Sequence, residues 1–543
     1  MFTIPVLGID YLTFLLMAPA LSGLALLLMP EHKTLQRMMA LVFSLLILVY
    51  TIIIFYGYIA LSATTDVAYL YEVQFGWFQT INATWHLGMD GISASMILLT
   101  GILVPLSILI SFEVEEGVKM HMALLLFFQT GLFGVFVALD LMIFFLFYEL
   151  SLVPIYFLIK QWGGKNRMYA STKFFIYSMG GTLGMLLATQ LIGWSMSLTE
   201  YGMSTFDIVA ISQYWPFIRE GSTFLGQPVG VIKALAFTGY FIAFCIKVPV
   251  WPFHTWLPDA HSEAPTAGSM LLAGVMLKLG AYGFLRLVIP FFPDVWVADI
   301  SLFGALTFNP ATLFATLAML GVVLGAFSAF GQTDIKRLVA YSSVNHMGFV
   351  AMGLAVTALV YGRMFVSGEA TQFEDAIMAT NGAVLQMFNH GLSSAAMFLL
   401  AGAIYHKTHT RDTTQYGGLW VKAPVYGAIF IFTSMASLGL PGLNGFVSEF
   451  LVVRGAFPVF TWLTVISMIG LLFTGSYILR GIRSVLHGPF NMKWADYHLE
   501  IDRREMIAIA PLMVLMLITG LVPNWILATI NDSVMRMLSG LLG

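Results

Sequence analysis

The sequence predicts an all-α polytopic membrane protein with about 14 transmembrane helices and two inverted five-helix repeats that contain broken helices. The first reason is composition, because 59% of the 543 residues are hydrophobic and only 10% are charged, with a mean hydropathy of +0.87. A soluble domain could not hide that much apolar surface. The second is the recurrence of apolar stretches close to the roughly 20 residues that cross a ~30 Å hydrocarbon core. The third is a weak internal repeat in which proline interrupts two of those stretches.

Apolar stretches cover most of the chain, and the joint between the fourth and the fifth, near Asp140, is the least sharply marked. The predicted spans are 5–29, 38–62, 88–112, 119–139, 140–161, 169–196, 229–250, 266–290, 311–330, 336–362, 376–405, 424–453, 459–487 and 505–535. We group them into helices 1–3, a first repeat of helices 4–8, a second repeat of helices 9–13, and helix 14. The corresponding segments are residues 1–115, 116–295, 296–490 and 491–543.

The basic residues concentrate on one side of the membrane once these spans are drawn. The basic residues assigned to the other side are Arg219, Arg286, Arg363, Arg454 and Arg536. Since Lys and Arg are enriched in cytoplasmic loops, the basic side is predicted to be cytoplasmic or its equivalent, with both termini on the other side. Residues 1–32 contain no Lys or Arg, so we expect no cleaved secretory signal.

Cysteine content and charge exclude several classes of function. The single cysteine, Cys245, rules out a disulfide framework and any Cys-ligated iron–sulfur or zinc cluster on this chain. A net charge of −3 indicates neither a nucleic-acid partner nor a polybasic lipid-binding surface. We also find no glycine-rich loop that would bind a phosphate group.

Two five-helix units share a pattern that is weak in identity but consistent in order. ALD at 138–140 opens the fifth span as QTD at 332–334 opens the tenth. Pro249 interrupts the seventh span and Pro441 the twelfth. Five is odd, so the second unit must enter the membrane inverted relative to the first, an arrangement typical of transporters. Chance similarity between apolar helices is the alternative.

Glu149 lies in the middle of the fifth span, LMIFFLFYELSLVPIYFLI. A charge facing lipid at that depth costs at least ~2.5–3.5 kcal/mol, so the carboxyl must face protein or water. Pro154 frees the carbonyl of Leu150 and can leave room for water beside it. The alternative is a protonated glutamic acid that is only a packed, hydrogen-bonded residue.

Lys247 precedes Pro249 and Pro252, so the seventh helix should open just beyond the lysine. Unwound backbone at membrane depth must line a cavity or be buried in protein. A few ångströms of movement between Lys247 and Glu149 would change their attraction from about 4 kcal/mol at ~4 Å to about 2 kcal/mol at ~8 Å. We hypothesise that Glu149 thereby controls whether Lys247 holds its proton. Three residues that follow could feed protons inward or be ordinary interfacial groups: His254, Asp259 and His261.

Lys278 lies too far from either end of the eighth span to reach a surface comfortably. A permanent ion pair between two helices is its structural alternative. His346 and Glu449 lie in helices of the second unit, and His390 is either part of the same set or an ordinary bundle residue. Ionisable groups strung through a bilayer mark proton relays. The predicted relay consists of Glu149, Lys247, Lys278, His346 and Glu449. Two further charged residues, expected to be interfacial, are Asp90 and Lys233.

Six motifs carry a resemblance to a known family. They are YEL…P at 148–154, IKVPVWPFHTWLPDAHSEAPT at 246–266, KLGAYG at 278–283, YSSVNHMGF at 341–349, FNHG at 388–391 and GFVSEF at 445–450. Together they resemble the antiporter-like membrane subunits of respiratory complex I. The resemblance implies a proton-translocating membrane-arm subunit of NADH:quinone oxidoreductase with two linked half-channels, driven by quinone reduction elsewhere.

The resemblance also implies roles for the relay residues. Glu149 and Lys247 would be the pair of the first half-channel, Lys278 the central connection, His346 part of the link, and Glu449 the residue of the second half-channel. No flavin, cluster or nicotinamide would bind this chain. FMN, iron–sulfur clusters and quinone are expected on partner subunits, with L-, N- and K-type chains and lipid as neighbours.

Glu449 distinguishes branches of that family, because L- and N-type chains and their sodium/proton antiporter relatives usually carry lysine there. It resembles the M-type branch, as does an end at Gly543 soon after helix 14 rather than a long lateral helix. Three alternatives stay open: a component of a multisubunit sodium/proton antiporter, which Glu449 argues against; a ferredoxin- or hydrogenase-linked membrane complex; and a purely structural spacer, which has no use for so many buried ionisable groups.

Overall fold

The computed structural model describes residues 9–219, 221–302 and 306–540. In this part of the chain, 13 helices are long and apolar enough to cross a membrane. The twelfth predicted span is present as two shorter helices joined end to end, which completes the predicted set of fourteen. The all-α membrane fold predicted from sequence is therefore confirmed. The first residues of the first predicted span, 5–8, lie outside the described residues.

Helices make up most of the described chain. The first ten are α1 (Tyr11–Leu28), α2 (Lys33–Ser62), α3 (Gly91–Ile110), α4 (Val118–Val137), α5 (Leu141–Trp162), α6 (Arg167–Ser195), α7 (Ile208–Tyr214), α8 (Val229–Lys247), α9 (Trp256–Glu263) and α10 (Thr266–Leu271). The remainder are α11 (Leu277–Gly283), α12 (Ile289–Phe291), α13 (Pro293–Val297), α14 (Pro310–Phe330), α15 (Ile335–Ser367), α16 (Phe373–Thr408), α17 (Pro424–Leu438), α18 (Asn444–Ala456), α19 (Thr461–Leu486), α20 (Arg503–Leu521) and α21 (Asn524–Ser539).

Three short antiparallel hairpins lie in the loops. They are β1 (Leu70–Phe78) with β2 (Ala83–Met89), β3 (Thr223–Phe224) with β4 (Gln227–Pro228), and β5 (Ile300–Leu302) with β6 (Leu306–Phe308). The first hairpin follows α2, and its second strand runs directly into α3. All three hairpins lie at the same end of the bundle, because an even number of spans separates each from the next.

Side-chain contacts between loops identify the two ends of the bundle. The loops that follow α1 and α3 are joined by Lys33 with Glu115 at 3.1 Å and Lys119 with Glu31 at 2.7 Å. We call this end the basic face. At the other end, the opposite face, Gln74 of β1 donates to Asp207 at 2.9 Å. The alternation of loops between these faces agrees with the predicted spans.

Aspartate caps define the joint that the sequence marks least sharply. Asp140 precedes α5, and its carboxylate accepts from the backbone nitrogen of Met142 at 2.8 Å. Its other oxygen accepts from the backbone of Thr84 in the hairpin at 2.9 Å. An N-cap carboxylate satisfies amides that have no partner inside the helix. The fourth and fifth spans are therefore separate helices, with a break after Val137.

The second unit repeats this joint. Asp140 caps α5, and Asp334 caps α15. Each also forms an isolated backbone bridge with an aspartate two helices later in the chain, Asp140 with Asp207 and Asp334 with Asp412. The first unit begins with α4 at the basic face, whereas the second begins with α14 at the opposite face. Five spans per unit thus produce the inverted arrangement.

Breaks in the helices occur where proline interrupts the apolar runs. α8 ends at Lys247 and α9 begins at Trp256, which confirms the opening predicted just beyond the lysine. α17 ends at Leu438 and α18 begins at Asn444. The prediction of one helix over 505–535 is wrong, because Pro523 lacks an amide hydrogen and restricts the residue before it, so α20 ends and α21 begins anew.

The interior of the bundle lies along two spans. The most apolar stretches of the span from Thr266 to Phe291 and of α16 are completely buried, whereas those of α1 and α2 are only 33% buried. The first of these spans contains two π-helical segments, Leu272–Met276 and Phe284–Val288, on either side of α11. Such segments interrupt the regular hydrogen bonding and are frequent at functional sites. Lys278 and His390 are carried by these two innermost spans.

Candidate functional site

The five relay residues predicted from sequence lie within the bundle. Lys278 is 0% exposed, Lys247 1%, His346 2% and Glu449 4%, whereas Glu149 is half-buried. Buried ionisable groups are costly unless they have partners. Their hydrogen bonds therefore decide which of them are connected.

Glu149 and Lys247 approach each other without forming an ion pair. Among the described residues, neither the Nζ atom of Lys247 nor the Oε1 atom of Glu149 has a hydrogen-bond partner. The ammonium group instead lies 4.9 Å from the centre of the Tyr148 ring, a cation–π distance. The first predicted pair is thus assembled but not directly bonded.

The backbone explains why Lys247 stays at this depth. The indole of Trp256 donates to the carbonyl of Ile246 at 2.9 Å, which closes the break between α8 and α9. Gly280 of α11 packs on the same point, since a Cβ atom there would lie 2.9 Å from Cβ of Lys247 and 2.9 Å from the nitrogen of Val248. Only a glycine allows that approach. The break therefore brings Lys247 against the helix that carries Lys278.

Lys278 has two partners, and neither is a carboxylate. Its ammonium group donates to the carbonyl of Ala273, which lies in the first π-helical segment, and lies 2.9 Å from Nδ1 of His390. Among the described residues, no acidic side chain forms an ion pair with it. The structural alternative of a permanent ion pair is therefore not found.

From His390 the contacts continue to Glu449. The rings of His390 and His346 lie 5.6 Å apart between centres, and Ser343 lies 3.2 Å from Nε2 of His390. His346 Nδ1 lies 2.6 Å from Oε1 of Glu449. Lys278, His390, His346 and Glu449 thus form a nearly continuous line across α11, α16, α15 and α18, which we call the central line.

Further polar groups hold the far end of the central line in place. Gln386 donates to Glu449 at 3.0 Å, and the hydroxyl of Ser437 lies 3.3 Å from Nε2 of His346. Glu449 also lines a cleft of about 390 Å³ at the break between α17 and α18. The carboxyl group is therefore bonded on one side and open toward a cleft on the other.

His390 is the connection that sequence reasoning leaves undecided. It joins Lys278 to the second unit across 112 residues. The approach depends on Gly391, because a Cβ atom there would lie 2.7 Å from the carbonyl oxygen of Gly274. The available signal in the sequence is the position of FNHG near the middle of a long span.

The polar residues after the α8 break differ in their contacts. Asp259 binds Lys173 at 2.7 Å and Arg337 at 3.0 Å, so it ties α9 to one helix of each unit. His261 is buried and stacks on Phe398 at 4.4 Å between ring centres. Neither of its ring nitrogens has a hydrogen-bond partner among the described residues. His261 is thus a buried imidazole packed on an aromatic ring, whereas Asp259 is occupied in ion pairs.

Lys233 is fixed near the opposite face. Its ammonium group lies 2.7 Å from Asp294 and 3.0 Å from the carbonyl oxygen of Pro216. These contacts agree with the interfacial position expected from sequence. Lys233 belongs to the same helix as Lys247 but takes no part in the central line.

Comparisons with known proteins extend over nearly the whole chain. The family model described as NADH:quinone oxidoreductase/Mrp antiporter, TM, matches residues 138–474. NADH-quinone oxidoreductase subunit M of Pseudomonas aeruginosa is 38% identical over 530 residues, covering 95% of each chain. The protein of the same name from Escherichia coli (strain K12) is 38% identical over 471 residues, covering 85% of this chain and 84% of the relative.

Solved structures give the same picture of the fold. A chain of respiratory complex I from Thermus thermophilus with bound NADH superposes with a TM-score of 0.80 at 25% identity, covering 98% of this chain and 100% of that chain. An archaeal membrane-bound sulfane sulfur reductase gives a TM-score of 0.78 at 22% identity over 96% of this chain and 78% of that chain. The second likeness concerns the fold alone.

Proposed function

The chain belongs to the NADH:quinone oxidoreductase/Mrp antiporter family of transmembrane subunits, and we propose that it is the M-type, proton-translocating membrane-arm subunit of an NADH:quinone oxidoreductase. The observation that carries this proposal is the central line, Lys278–His390–His346–Glu449, buried in a chain that is 38% identical to subunit M over 95% of its length. This proposed role needs a helical bundle that moves protons, and it does not need a redox group on this chain.

In the first half-channel, Glu149 acts on Lys247 through space. Because the two groups are not bonded to each other, a small movement of α5 changes their attraction by about 2 kcal/mol, by the same Coulomb estimate. Lys247 then takes a proton from the basic side or passes it toward Lys278. His254, which is only partly buried, supplies exchangeable protons on that side.

In the second half-channel, the proton leaves Lys278 along the central line. His390 accepts it at Nδ1 and releases one toward His346, which hands a proton to the carboxylate of Glu449. Histidine suits both middle positions, since each ring has two nitrogens that can bind a proton. Glu449 releases the proton through the cleft beside it.

The rest of the assembly supplies the driving force. FMN, iron–sulfur clusters and the quinone site belong to partner subunits, and L-, N- and K-type chains are the membrane neighbours. The basic face is the cytoplasmic side of an energy-coupling membrane, such as the bacterial inner membrane, and both termini lie on the other side. Moving one charge against 100 mV requires about 2.3 kcal/mol. Residues 116–295 and 296–490 act as the two half-channel units.

A multisubunit sodium/proton antiporter is the second candidate, because the matching family model includes Mrp antiporters. Glutamate at position 449, bonded to His346, favours the redox-driven complex. Sodium-dependent pH changes in vesicles without an electron donor would favour the antiporter.

Isolation of the native complex tests the proposal. Membranes are solubilised gently, the complex that contains this chain is purified, its NADH:quinone activity is assayed and its subunits are identified by mass spectrometry. We expect activity together with flavin and iron–sulfur subunits. A complex of membrane subunits alone, without any redox centre, would contradict the proposal and favour the antiporter.

A further inference from the structure

The helix that carries Lys278 has a second line of polar groups, which runs away from the central line toward the opposite face. Tyr282 and Arg286 follow Lys278 at intervals of four residues and thus share a side of the span. They lie closer to the opposite face than the lysine, by about 6 Å and about 12 Å of helical rise. Neither residue belongs to the central line.

These residues are connected through α3. The Tyr282 hydroxyl donates to the carbonyl of Phe136 at 2.9 Å and lies 2.9 Å from the hydroxyl oxygen of Ser93. Arg286 reaches the same serine at 3.4 Å and forms an ion pair with Asp90. A chain of polar contacts therefore leads from Tyr282 through Ser93 to the ion pair of Arg286 with Asp90. The backbone amide of Ser93 also donates to the Asp90 carboxylate at 2.9 Å, so the two residues are adjacent.

The route ends at a cavity. Asp90 and Arg286 both line a space of about 510 Å³ at the opposite face. Arg536 lines the same space and its side chain is 41% exposed, so the cavity reaches the exterior. Asp90, which the sequence marks only as an interfacial residue, is itself 3% exposed. The ion pair thus separates the cavity from Tyr282.

Lys278 points away from this route. Its ammonium group is bonded to the carbonyl of Ala273, five residues earlier in the chain and nearer the basic face, and to His390. A rotation of the flexible lysine side chain toward Tyr282 would exchange the central line for the second route. Lys278 and Tyr282 are four residues apart on one side of the helix, about 6 Å of helical rise.

We propose that Ser93, Tyr282, Asp90 and Arg286 form an outward branch, by which Lys278 exchanges protons with the opposite face independently of Glu449. This inference rests on the proposed function. The Tyr282 oxygen accepts a proton from the Lys278 ammonium while its own hydroxyl proton turns from the carbonyl of Phe136 and passes to Ser93. The Ser93 hydroxyl then turns and gives its proton to the neighbouring Asp90 carboxylate. Neutral Asp90 releases Arg286, loses the proton to the cavity and binds Arg286 again, so one proton enters and one leaves.

Arg286 gives the branch its direction. A guanidinium group stays protonated in proteins, and a fixed positive charge at a pore mouth opposes the entry of protons and other cations. In its closed state the ion pair therefore prevents protons in the cavity from returning to Lys278. Loss of that charge should produce a leak that depends on the lysine.

The experiment measures passive proton flow through the whole complex in proteoliposomes. A pH difference is imposed without NADH, and an enclosed dye records the internal pH. We expect Arg286→Gln to raise proton conductance about tenfold and the added change Lys278→Met to abolish that increase. Arg536→Gln, in the same cavity, serves as the matched control and should leave conductance unchanged. Wild-type conductance in Arg286→Gln, or a leak that survives Lys278→Met, would overturn the proposal.

A milder pair of variants keeps the proposal testable if Arg286→Gln does not assemble. Tyr282→Phe removes only a hydroxyl and should slow NADH-driven proton pumping about twofold, because the central line still carries protons to Glu449. Tyr240→Phe removes an equally buried hydroxyl, bonded to Thr189 on another helix pair, and should have no effect. Equal pumping in the two variants would contradict the branch. Wild-type complex that does not pump with NADH would contradict the proposed function instead.

Discussion

The two half-channel units share an architecture but differ in how their ionisable groups are bonded. In the first unit, Lys247 is the last residue before its helix breaks, and it has no hydrogen-bond partner among the described residues. In the second, Glu449 follows the break and is bonded to His346 and Gln386. We therefore expect the first unit to respond to small movements of charge and the second to hold a fixed path. An inverted repeat preserves the helices without preserving the chemistry.

The largest effect is expected where the two units meet. Lys278→Met should reduce proton pumping to near the background level. In the described structure, the Lys278 amine is the only group of α11 that is bonded to His390, the next member of the central line. Lys233→Met is the matched control, since Lys233 is a buried lysine paired with Asp294 outside the line. NADH-driven dye quenching in proteoliposomes measures both. Pumping in Lys278→Met at the level of the control would show that the units are not joined through this residue.

A smaller effect is expected from the unbonded pair. Glu149→Gln removes the charge but keeps the shape, so Lys247 loses an attraction of about 2 kcal/mol at ~8 Å, and pumping should slow about tenfold. Glu149→Asp should retain most of the rate. The measurement is the pumping rate together with the number of protons moved per NADH. Unaltered rate and stoichiometry in Glu149→Gln would remove the role assigned to this carboxyl group.

Loss of stability should be larger for a variant of Glu449 than for the same variant of Glu149. Glu449→Ala leaves Nδ1 of His346 and the side-chain nitrogen of Gln386 without the carboxylate that each contacts, and each such buried group costs about 1–3 kcal/mol. Glu149→Ala breaks no hydrogen bond at Oε1 and should change stability little. Thermal unfolding of the purified complex, followed by loss of this subunit, compares the variants. Equal losses would mean that the hydrogen bonds of the second unit do not stabilise it.

The smallest effect concerns the equivalent joints at Asp140 and Asp334. Near the first, His86 lies 2.6 Å from Asp207 and 2.8 Å from Glu72. Near the second, Asp334 pairs with Arg411 at 3.0 Å. Burial lowers the pKa of His86, but the hydrogen bonds and charges of Asp207 and Glu72 outweigh it and raise that pKa above its usual 6.5.

Since the folded pKa of His86 is raised, its stabilisation is complete below the pKa of an unfolded histidine and is lost as the pH rises through the folded value. The hairpin β1–β2 should therefore loosen above pH 6.5. Hydrogen exchange of the hairpin amides measures this, with His86→Gln expected to remove the pH dependence. The loop at Asp334 should show no such dependence in that range, because arginine does not titrate there. A dependence that persists in His86→Gln would assign the effect to another group.

Much of the fold follows from local sequence. Apolar runs locate the spans to within a few residues, and Pro249 and Pro252 locate the break beyond Lys247. The break at Pro523 could have been predicted by the same argument, but this proline lies inside a run that is apolar on both sides. Span prediction weighs hydropathy, and hydropathy does not detect a short interruption.

The site is less accessible from sequence because its bonds connect distant helices. His390 contacts Lys278 because the backbones of two glycines allow their helices to approach closely. The sequence around His390 does not indicate that Lys278 is its partner. The ion pair of Asp90 with Arg286 likewise joins residues nearly 200 positions apart. Residue type and depth identify candidates for a relay, whereas tertiary packing decides which of them are in contact.

The most direct test of the central line combines two of its members. Pumping is measured for His390→Gln, His346→Gln and the double variant in the same proteoliposomes. If both histidines lie on one route, the double variant should pump no more slowly than the slower single variant, because a route already blocked at one step is not blocked further. Losses that multiply in the double variant would mean that the histidines serve separate routes, and would contradict a continuous path from Lys278 to Glu449.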